Sequence, residues 1–488
     1  MTGVQTCALP ISEAIATAGI PTDLLAMLSS KLARLPDDQR RLLALAACIG
    51  FEFELRTLEA IAGLPALELA SLLHELDLAG LIAGSGRTMQ FTHERLVEVA
   101  AERLDADERA RLHWTIGRYL LGGLAGRAAA LGLRAHARLG DEETSVIVEH
   151  LAAGWAAGSA HAGPLDDELR VQMARRALEA GQRALGSAAW PVARRRLAFA
   201  VTLCEPWLAQ ARQGRGEHEL CFAVHFGHAQ AQALASSRSE AEAGFDELLD
   251  WALSRVARGQ VIARRVEILA LQDRLREAIR AGLAGLAQLG FELALPSSNL
   301  AMIRQMWRAW TAYRRCDLDH MKDARDERAI AALDIANAIK APAYVIDLNL
   351  FVVLTGLTAE LTFRHGRHPS TEVVLAQFGI AVQAGFGKPE IAATLCDRAL
   401  AMFGEDLDNP NRPRAGSAAL LVWPATRPLR SLLGMIVDVQ RRASEVGDLE
   451  VAGFQAALGL GHHLNAGVHL RECTRLGERW ALELERSG

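Results

Sequence analysis

From about residue 105 to the C-terminus the sequence is an almost unbroken run of amphipathic helix patterns, and its internal similarity lies in how small residues are spaced. The strings ALEAGQRALG at 177–186, AIRAGLAGL at 278–286 and ATLCDRAL at 393–400 each place Ala, Gly or Cys at helical spacing, where neighbouring backbones can approach closely. The first of them ends on a glycine stop. Composition favours the same reading: hydrophobic residues make up 50% of the chain but aromatics only 5%, and Ala and Leu dominate over the β-branched residues that strands prefer.

Residues 22 to 104 have a different order of elements. Leu24, Leu25, Leu28 and Leu32 mark one helical face, and Pro36 with Asp37 and Asp38 opens a second helix that runs to Gly50. A third helix covers about Leu55 to Ala62, ended by Gly63, and Pro65 begins a fourth through Leu76. The period then changes. Leu81 to Ala83, a Gly84-Ser85-Gly86 turn and Met89 to Phe91 predict a β-hairpin, and a new helix is expected near Thr92 as its N-cap. Several short helices followed by a hairpin wing predict a winged-helix subdomain over 12–104. The fold class expected is therefore mainly α: that subdomain, then an α-solenoid of tetratricopeptide-like helical pairs over 105–488. A plain helical bundle is the alternative for the second part. Breaks are expected near 159–167, 295–298 and 404–417, where turn formers replace the helical pattern.

Charge and cysteine content exclude several classes. Lysine occurs only at 31, 322, 340 and 388, so 49 of the 53 basic residues are arginine, a bias that fits a GC-rich bacterial genome. A net charge of −5 gives no global nucleic-acid footprint. Six cysteines beyond Cys7 are widely separated, with no CxxC pair, which predicts buried thiols rather than a disulfide framework or zinc cluster. The stretch from Ala343 to Leu361 carries Asp347, Asn349 and Glu360 and falls short of an apolar span, so no membrane segment is expected and the expected location is the cytoplasm. Met1 to Ile11 (MTGVQTCALPI) matches the in-frame translation of a common short-read sequencing adapter, with GTG as the start codon. The expectation is that 1–11 is not native and that the chain is a piece of a longer protein.

Three strings in the N-terminal part, Lys31-Leu-Ala-Arg-Leu-Pro36, Leu45-Ala-Ala-Cys-Ile-Gly-Phe51 and Phe91-Thr-His-Glu-Arg95, resemble one family. It is the large bacterial signalling proteins that combine a serine/threonine kinase domain, an AAA-type, STAND-like ATPase, a tetratricopeptide-like region, a GAF sensor and often a histidine kinase. The stretches 108–121, 363–370 and 445–453 resemble landmarks of the same family, so the resemblance runs through nearly the whole chain in order. Departures occur at Glu94, at Leu96-Val97-Glu98 and at Ala101-Glu102. The resemblance implies the end of the ATPase module plus the helical region. ATP or ADP and magnesium are then implied for the parent protein, and no cofactor for this chain.

Searching for the chemistry itself gives little. Gly385-Phe-Gly-Lys-Pro389 has Pro where a phosphate-binding loop needs Ser or Thr and Val382 where its first Gly belongs, so it reads as a loop between helices. His93 is the one cofactor-site candidate. By resemblance to STAND-like ATPases, a histidine at the wing-to-helix junction reaches the diphosphate of ADP and holds the closed state; a capping histidine is the simpler reading. His225 with His228, and His462, His463, His469 with Cys473, lack metal-site spacing. Arg194 to Arg196 reads as a solvated helix face, and Trp114, Trp155, Trp190, Trp307 and Trp310 as core or groove anchors. No catalytic and no metal residue is expected, and the chain is not expected to be an enzyme. The helix from Pro65 to Ala79 would be the DNA reader of a winged helix, but it holds Glu68, Glu75 and Asp77 and no Lys or Arg, so phosphates would repel it. The function expected is a regulatory and protein-interaction piece of a signalling ATPase and kinase, with protein domains as partners and no nucleic acid. The alternative is a piece of a STAND-type transcriptional regulator or cyclase-linked ATPase.

Overall fold

Many of the described helices begin where a proline or an acidic residue fixes the first turn, and the α-helices at Leu55–Ala62 and Thr371–Phe386 stop at a left-handed glycine. The computed structural model describes residues 22–85, 87–130, 141–156, 165–235, 238–406 and 409–487, which form a mainly helical chain with one small sheet and two compact units, 1–236 and 237–488. The adapter-like segment and most of the 159–167 break lie outside the described residues. The boundary drawn at 104 falls inside the first unit.

The first unit opens with α1 (Thr22–Ala33), α2 (Asp37–Ile49), β1 (Glu52–Glu54), α3 (Leu55–Ala62), α4 (Ala66–Leu78), β2 (Ile82–Ser85), β3 (Thr88–Phe91) and α5 (Glu94–Ala101). Pro36 precedes α2 with Asp37 and Asp38 in its first turn, and Gly63, at φ 62°, ends α3. The hairpin expected from sequence is present, and a third strand joins it: β1 pairs antiparallel with β3, giving the order β1-β3-β2. Phe53 and Phe91 meet edge to edge-on face across that added pair, with centroids 5.8 Å apart, and pack on Leu42, Leu58 and Leu76. The turn is shorter than expected, because Gly84 and Ser85 belong to β2 and Ser85 pairs with Thr88. A Cβ on Gly84 would lie 2.6 Å from the Thr88 carbonyl oxygen, so close strand approach requires glycine there. Thr92 is not the N-cap of α5. Its hydroxyl donates to the carbonyls of Gly80 and Leu81, tying off β2, and His93 caps the helix instead.

The unit continues through α6 (Ala106–Ala130), α7 (Asp141–Ala156), α8 (Asp167–Gly186), α9 (Trp190–Cys204), α10 (Leu208–Ala211) and α11 (His218–Ala235). Helix α6 packs back on α2 and α3, where Ala44 and Cys48 share a cluster with Leu104 and Ile116. The arginine run on α9 is not simply solvated: Arg196 is largely buried, and it reaches Glu149 at 2.9 Å and the Ala180 carbonyl at 3.2 Å. Trp114 and Trp310 are core residues, but Trp190 and Trp307 are exposed, the latter by 61%.

The second unit holds α12 (Arg238–Trp251), α13 (Arg255–Leu271), α14 (Leu275–Gln288), α15 (Asn299–Tyr313), α16 (Glu327–Ile346), α17 (Leu348–His365), α18 (Thr371–Phe386), α19 (Pro389–Ala401), α20 (Arg412–Val422), α21 (Leu429–Glu445), α22 (Leu449–Asn465) and α23 (Leu470–Ser487). Neighbours in sequence pack as pairs, α13 with α14, α16 with α17, α18 with α19, α20 with α21 and α22 with α23, in a solenoid-like repeat arrangement. The first helices of successive pairs pack as well, α13 on α16, α18 on α20 and α20 on α22. Helix α15 is an addition to this scheme, held to α17 by the buried carboxylate of Glu360, which accepts from Gln305, Arg308 and Arg364. The break at 295–298 is a connection ended by the Ser298 cap of α15, whereas the break drawn to 417 stops earlier because α20 begins at Arg412. The apolar run from 343 to 361 is two helices, separated at Asp347, which caps α17. Helix α16 is long and apolar enough to cross a membrane by length and composition, with 56% of its apolar window buried inside the protein.

The small residues do what their spacing predicts. A Cβ on Gly181 would fall 2.5 Å from Leu197, and one on Gly282 would fall 2.4 Å from Ile339. Replacing a helical glycine by alanine stabilises by about 1 kcal/mol on propensity, while overpacking a tight core costs about 1–3 kcal/mol. Gly282→Ala is therefore expected to lower the denaturant midpoint, because contact outweighs propensity. Gly434→Ala, where the added Cβ meets nothing within 4 Å, is expected to raise it. A rise at both positions would show that α14 and α16 do not meet through Gly282.

Candidate functional site

His93 lies where β3 passes into α5, solvent-exposed, and its Nδ1 accepts from the Arg95 backbone N–H at 3.1 Å. An accepting Nδ1 puts the proton of the neutral ring on Nε2, so a donor remains at the N-terminus of α5. The same local geometry recurs twice, with His368 Nδ1 accepting from Ser370 N and His469 Nδ1 from Arg471 N, both at 3.2 Å. The histidine cap is thus a repeated local device, and His93 shares it. Gly385 to Pro389 forms the turn from α18 to α19, with Gly387 at φ 62° and Pro389 at the first helical position.

The other histidines sit in structural surroundings. His113 and His150 bring their Nδ1 atoms within 2.9 Å between α6 and α7, and burial pushes His150 down to about 4 and His113 down as well. One ring must donate and the other accept, so the pair fits together as neutral rings. His463 is buried against the Gly459 carbonyl, and burial pushes His225 down to about 4. Among the described residues no group of three or more His, Cys, Asp or Glu side chains could hold a metal ion. Cys48, Cys204, Cys221, Cys396 and Cys473 are buried and Cys316 half-buried, all as free thiols.

A series of polar contacts lies along the first helices of the repeat pairs in the second unit. Asp334, Asn337 and Lys340 follow one another at three-residue spacing on α16, which puts them on one face. That face meets the start of α18. Asn337 donates to the Ser370 hydroxyl at 2.8 Å, and Lys340 Nζ donates to Gln377 Oε1 at 2.7 Å. Further along, Ser417 of α20 bonds Gln455 of α22 at 3.0 Å, and Arg414 is paired with Asp448. Of these residues Lys340 is named from sequence among the lysines, Ser370 and Asp448 within family-like strings, and Arg414 and Ser417 only as part of a break. Asp334 and Asn337 on α16 were missed because an apolar helix with a few polar residues looks like core until its neighbour is known.

The loop that supplies His368 is fixed by main-chain bonds. Arg367 N donates to the Lys322 carbonyl at 2.7 Å and Ala324 N to the Arg367 carbonyl at 2.8 Å. Gly366, at φ 110°, is required, since a side chain there would run into Lys322 O. Pro369 keeps His368 out of the helical region, and Thr371 closes the turn by accepting from His368 N at 2.8 Å.

Lys340 is the most perturbed of these groups. It is 4% exposed, and burial, followed by the nearby Arg414 guanidinium, pushes its amine down to about 7. A lysine whose folded value is depressed carries its penalty fully below about 7 and loses it as pH rises toward the unfolded 10.5. Lys340→Met is therefore expected to be more stable than the wild type at pH 6, with the difference in melting temperature shrinking between pH 7 and 10. A difference independent of pH would show that the amine is solvated in the native state.

No family model matches the chain, and no curated protein matches it. A match among solved structures is the signal transduction ATPase with numerous domains (STAND) protein with a tetratricopeptide repeat sensor from Pyrococcus horikoshii, at 13% identity and a TM-score of 0.31. The match covers 93% of this chain and 64% of that one.

Proposed function

We propose that the chain is a regulatory and protein-interaction part of a bacterial STAND-type signalling ATPase, working in the cytoplasm, with nucleotide and magnesium handled by a domain other than these residues. The observation that carries this reading is the element order of the first unit. A helix, a strand, two helices and a hairpin, with the three strands in one sheet, are followed along the chain by helical pairs, and we read that order as a winged helix leading into a repeat array. The strings that resemble the kinase-linked family fall at the structural junctions of that unit: the α1–α2 connection, the end of α2 and the β3–α5 junction. Kinase output is the finer part of the proposal and rests on the resemblance alone.

His93 is assigned the nucleotide-sensing role because it sits at the wing-to-helix junction with a donor atom at a helix N-terminus. DNA reading is disfavoured because α4 exposes Glu68, Glu75 and Asp77 and carries no Lys or Arg. The helical pairs supply the partner surface, which suits a protein segment or neighbouring domain.

The test is to mix the chain with the separately purified nucleotide-binding domain of a STAND-type ATPase from the resembling family and to follow mass by light scattering. A stoichiometric complex is expected, ADP release from that complex should accelerate with His93→Ala, and the chain alone should give no saturable heat with Mg-ATP. Absence of a complex, together with duplex DNA binding that survives physiological salt, would favour the transcriptional-regulator reading. An unchanged ADP off-rate would leave His93 as a cap only.

A further inference from the structure

Ser254, Ser298 and Ser370 all occupy helix N-caps, yet they do not behave alike. Ser254 Oγ accepts from Ala257 N at 3.0 Å and Ser298 Oγ from Ala301 N at 3.2 Å, the ordinary capping bond. Ser370 makes no side-chain bond to its own helix. Its Oγ instead lies 2.8 Å from His368 Nδ1 and accepts from Asn337 Nδ2, also at 2.8 Å. On the far side of the imidazole, His368 Nε2 is 3.1 Å from Asp334 Oδ1. Asp334 selects the tautomer with its proton on Nε2, which leaves the Nδ1 lone pair facing the serine hydroxyl. Asn337, donating to Oγ, leaves the hydroxyl proton to point at Nδ1. The imidazole is buried and fixed by the 366–371 turn, whereas Ser370 itself is half-buried.

From this geometry we propose that Ser370 is an activated nucleophile, with His368 as its general base and Asp334 as the positioning residue that orients the ring, able to accept acyl groups from activated esters. Oγ attacks the carbonyl carbon while its proton passes to His368 Nδ1. The carbon–oxygen bond to the leaving alcohol then breaks as that proton is delivered to the alkoxide. Water, deprotonated by the same nitrogen, releases the acid and restores the serine. Ser370 N is bonded to the His368 ring and Thr371 N to the His368 carbonyl, so the charge that develops on the carbonyl oxygen is met by the positive end of α18 rather than by these two N–H groups. The arrangement reverses the usual ring nitrogens, serine on Nδ1 and carboxylate on Nε2, but the roles are unchanged, since recognition is by geometry.

The rival is that His368 only caps its turn, because Nδ1 also accepts from Ser370 N at 3.2 Å. The experiment separates the two. The full chain is treated with a fluorophosphonate, in which the oxygen–phosphorus bond forms, the phosphorus–fluorine bond breaks and fluoride leaves, and the adduct is mapped by peptide mass. Labelling is expected at Ser370 and not at Ser254, a half-buried N-cap without an imidazole partner. His368→Asn keeps an acceptor for Ser370 N–H but removes the base, and should slow labelling by about a hundredfold or more. Asp334→Asn should slow it and Asp334→Glu restore part of the rate, with the melting temperature followed in each variant. Equal labelling of Ser370 and Ser254 in the wild type overturns the proposal, and that comparison stands even if a variant fails to fold. An unchanged rate in a folded His368→Asn overturns it equally.

Discussion

The close approach of neighbouring helices at small residues is the constraint on which the rest of the structure depends. Gly181 against Leu197, Gly282 against Ile339 and Gly285 against Ile262 leave no room for even a methyl group. At that separation side chains of moderate length can cross from one pair to the next. Between successive pairs, Asn337 and Lys340 of α16 satisfy partners on α18 with single hydrogen bonds. Burying those polar atoms without partners would cost about 1–3 kcal/mol each.

Much of the fold was legible because its signals are local. The α2 boundaries follow from Pro36, two aspartates and Gly50, and α3, expected over about Leu55 to Ala62, spans those residues. The failures are equally physical. Strand β1 is three residues long, Glu-Phe-Glu, too short for an alternation to register, and it exists because β3 offers an edge to pair with. Thr92 has the right chemistry for a cap, but the carbonyls of Gly80 and Leu81 compete for its hydroxyl, and a histidine one residue later takes the role. Arg196 was read as solvated from its neighbours in sequence, whereas its surroundings are Glu149 and Ala180.

The candidate site was less legible for a reason of distance. His368 and Ser370 stand two apart and appear in a string singled out from sequence, but their partners Asp334 and Asn337 lie more than thirty residues upstream on a helix that reads as core. Periodicity assigns a face to each helix and is silent on which polar residue of one face will meet which of another. His93, by contrast, was placed at its junction because the hairpin and the following helix are adjacent in sequence.

The polar bridges between successive first helices give the array a grammar. Lys340 needs the amide of Gln377, Ser417 that of Gln455, and Arg414 the carboxylate of Asp448. Each is a private pairing between one repeat and its own neighbour, unlike the alanine and leucine contacts that any repeat could supply. Two pairs exchanged in order would keep their apolar seams and strand their polar ones. The repeats are consequently not interchangeable modules, and duplication or shuffling, the usual route by which such arrays lengthen, is closed to this stretch of the chain unless both halves of a pairing move together.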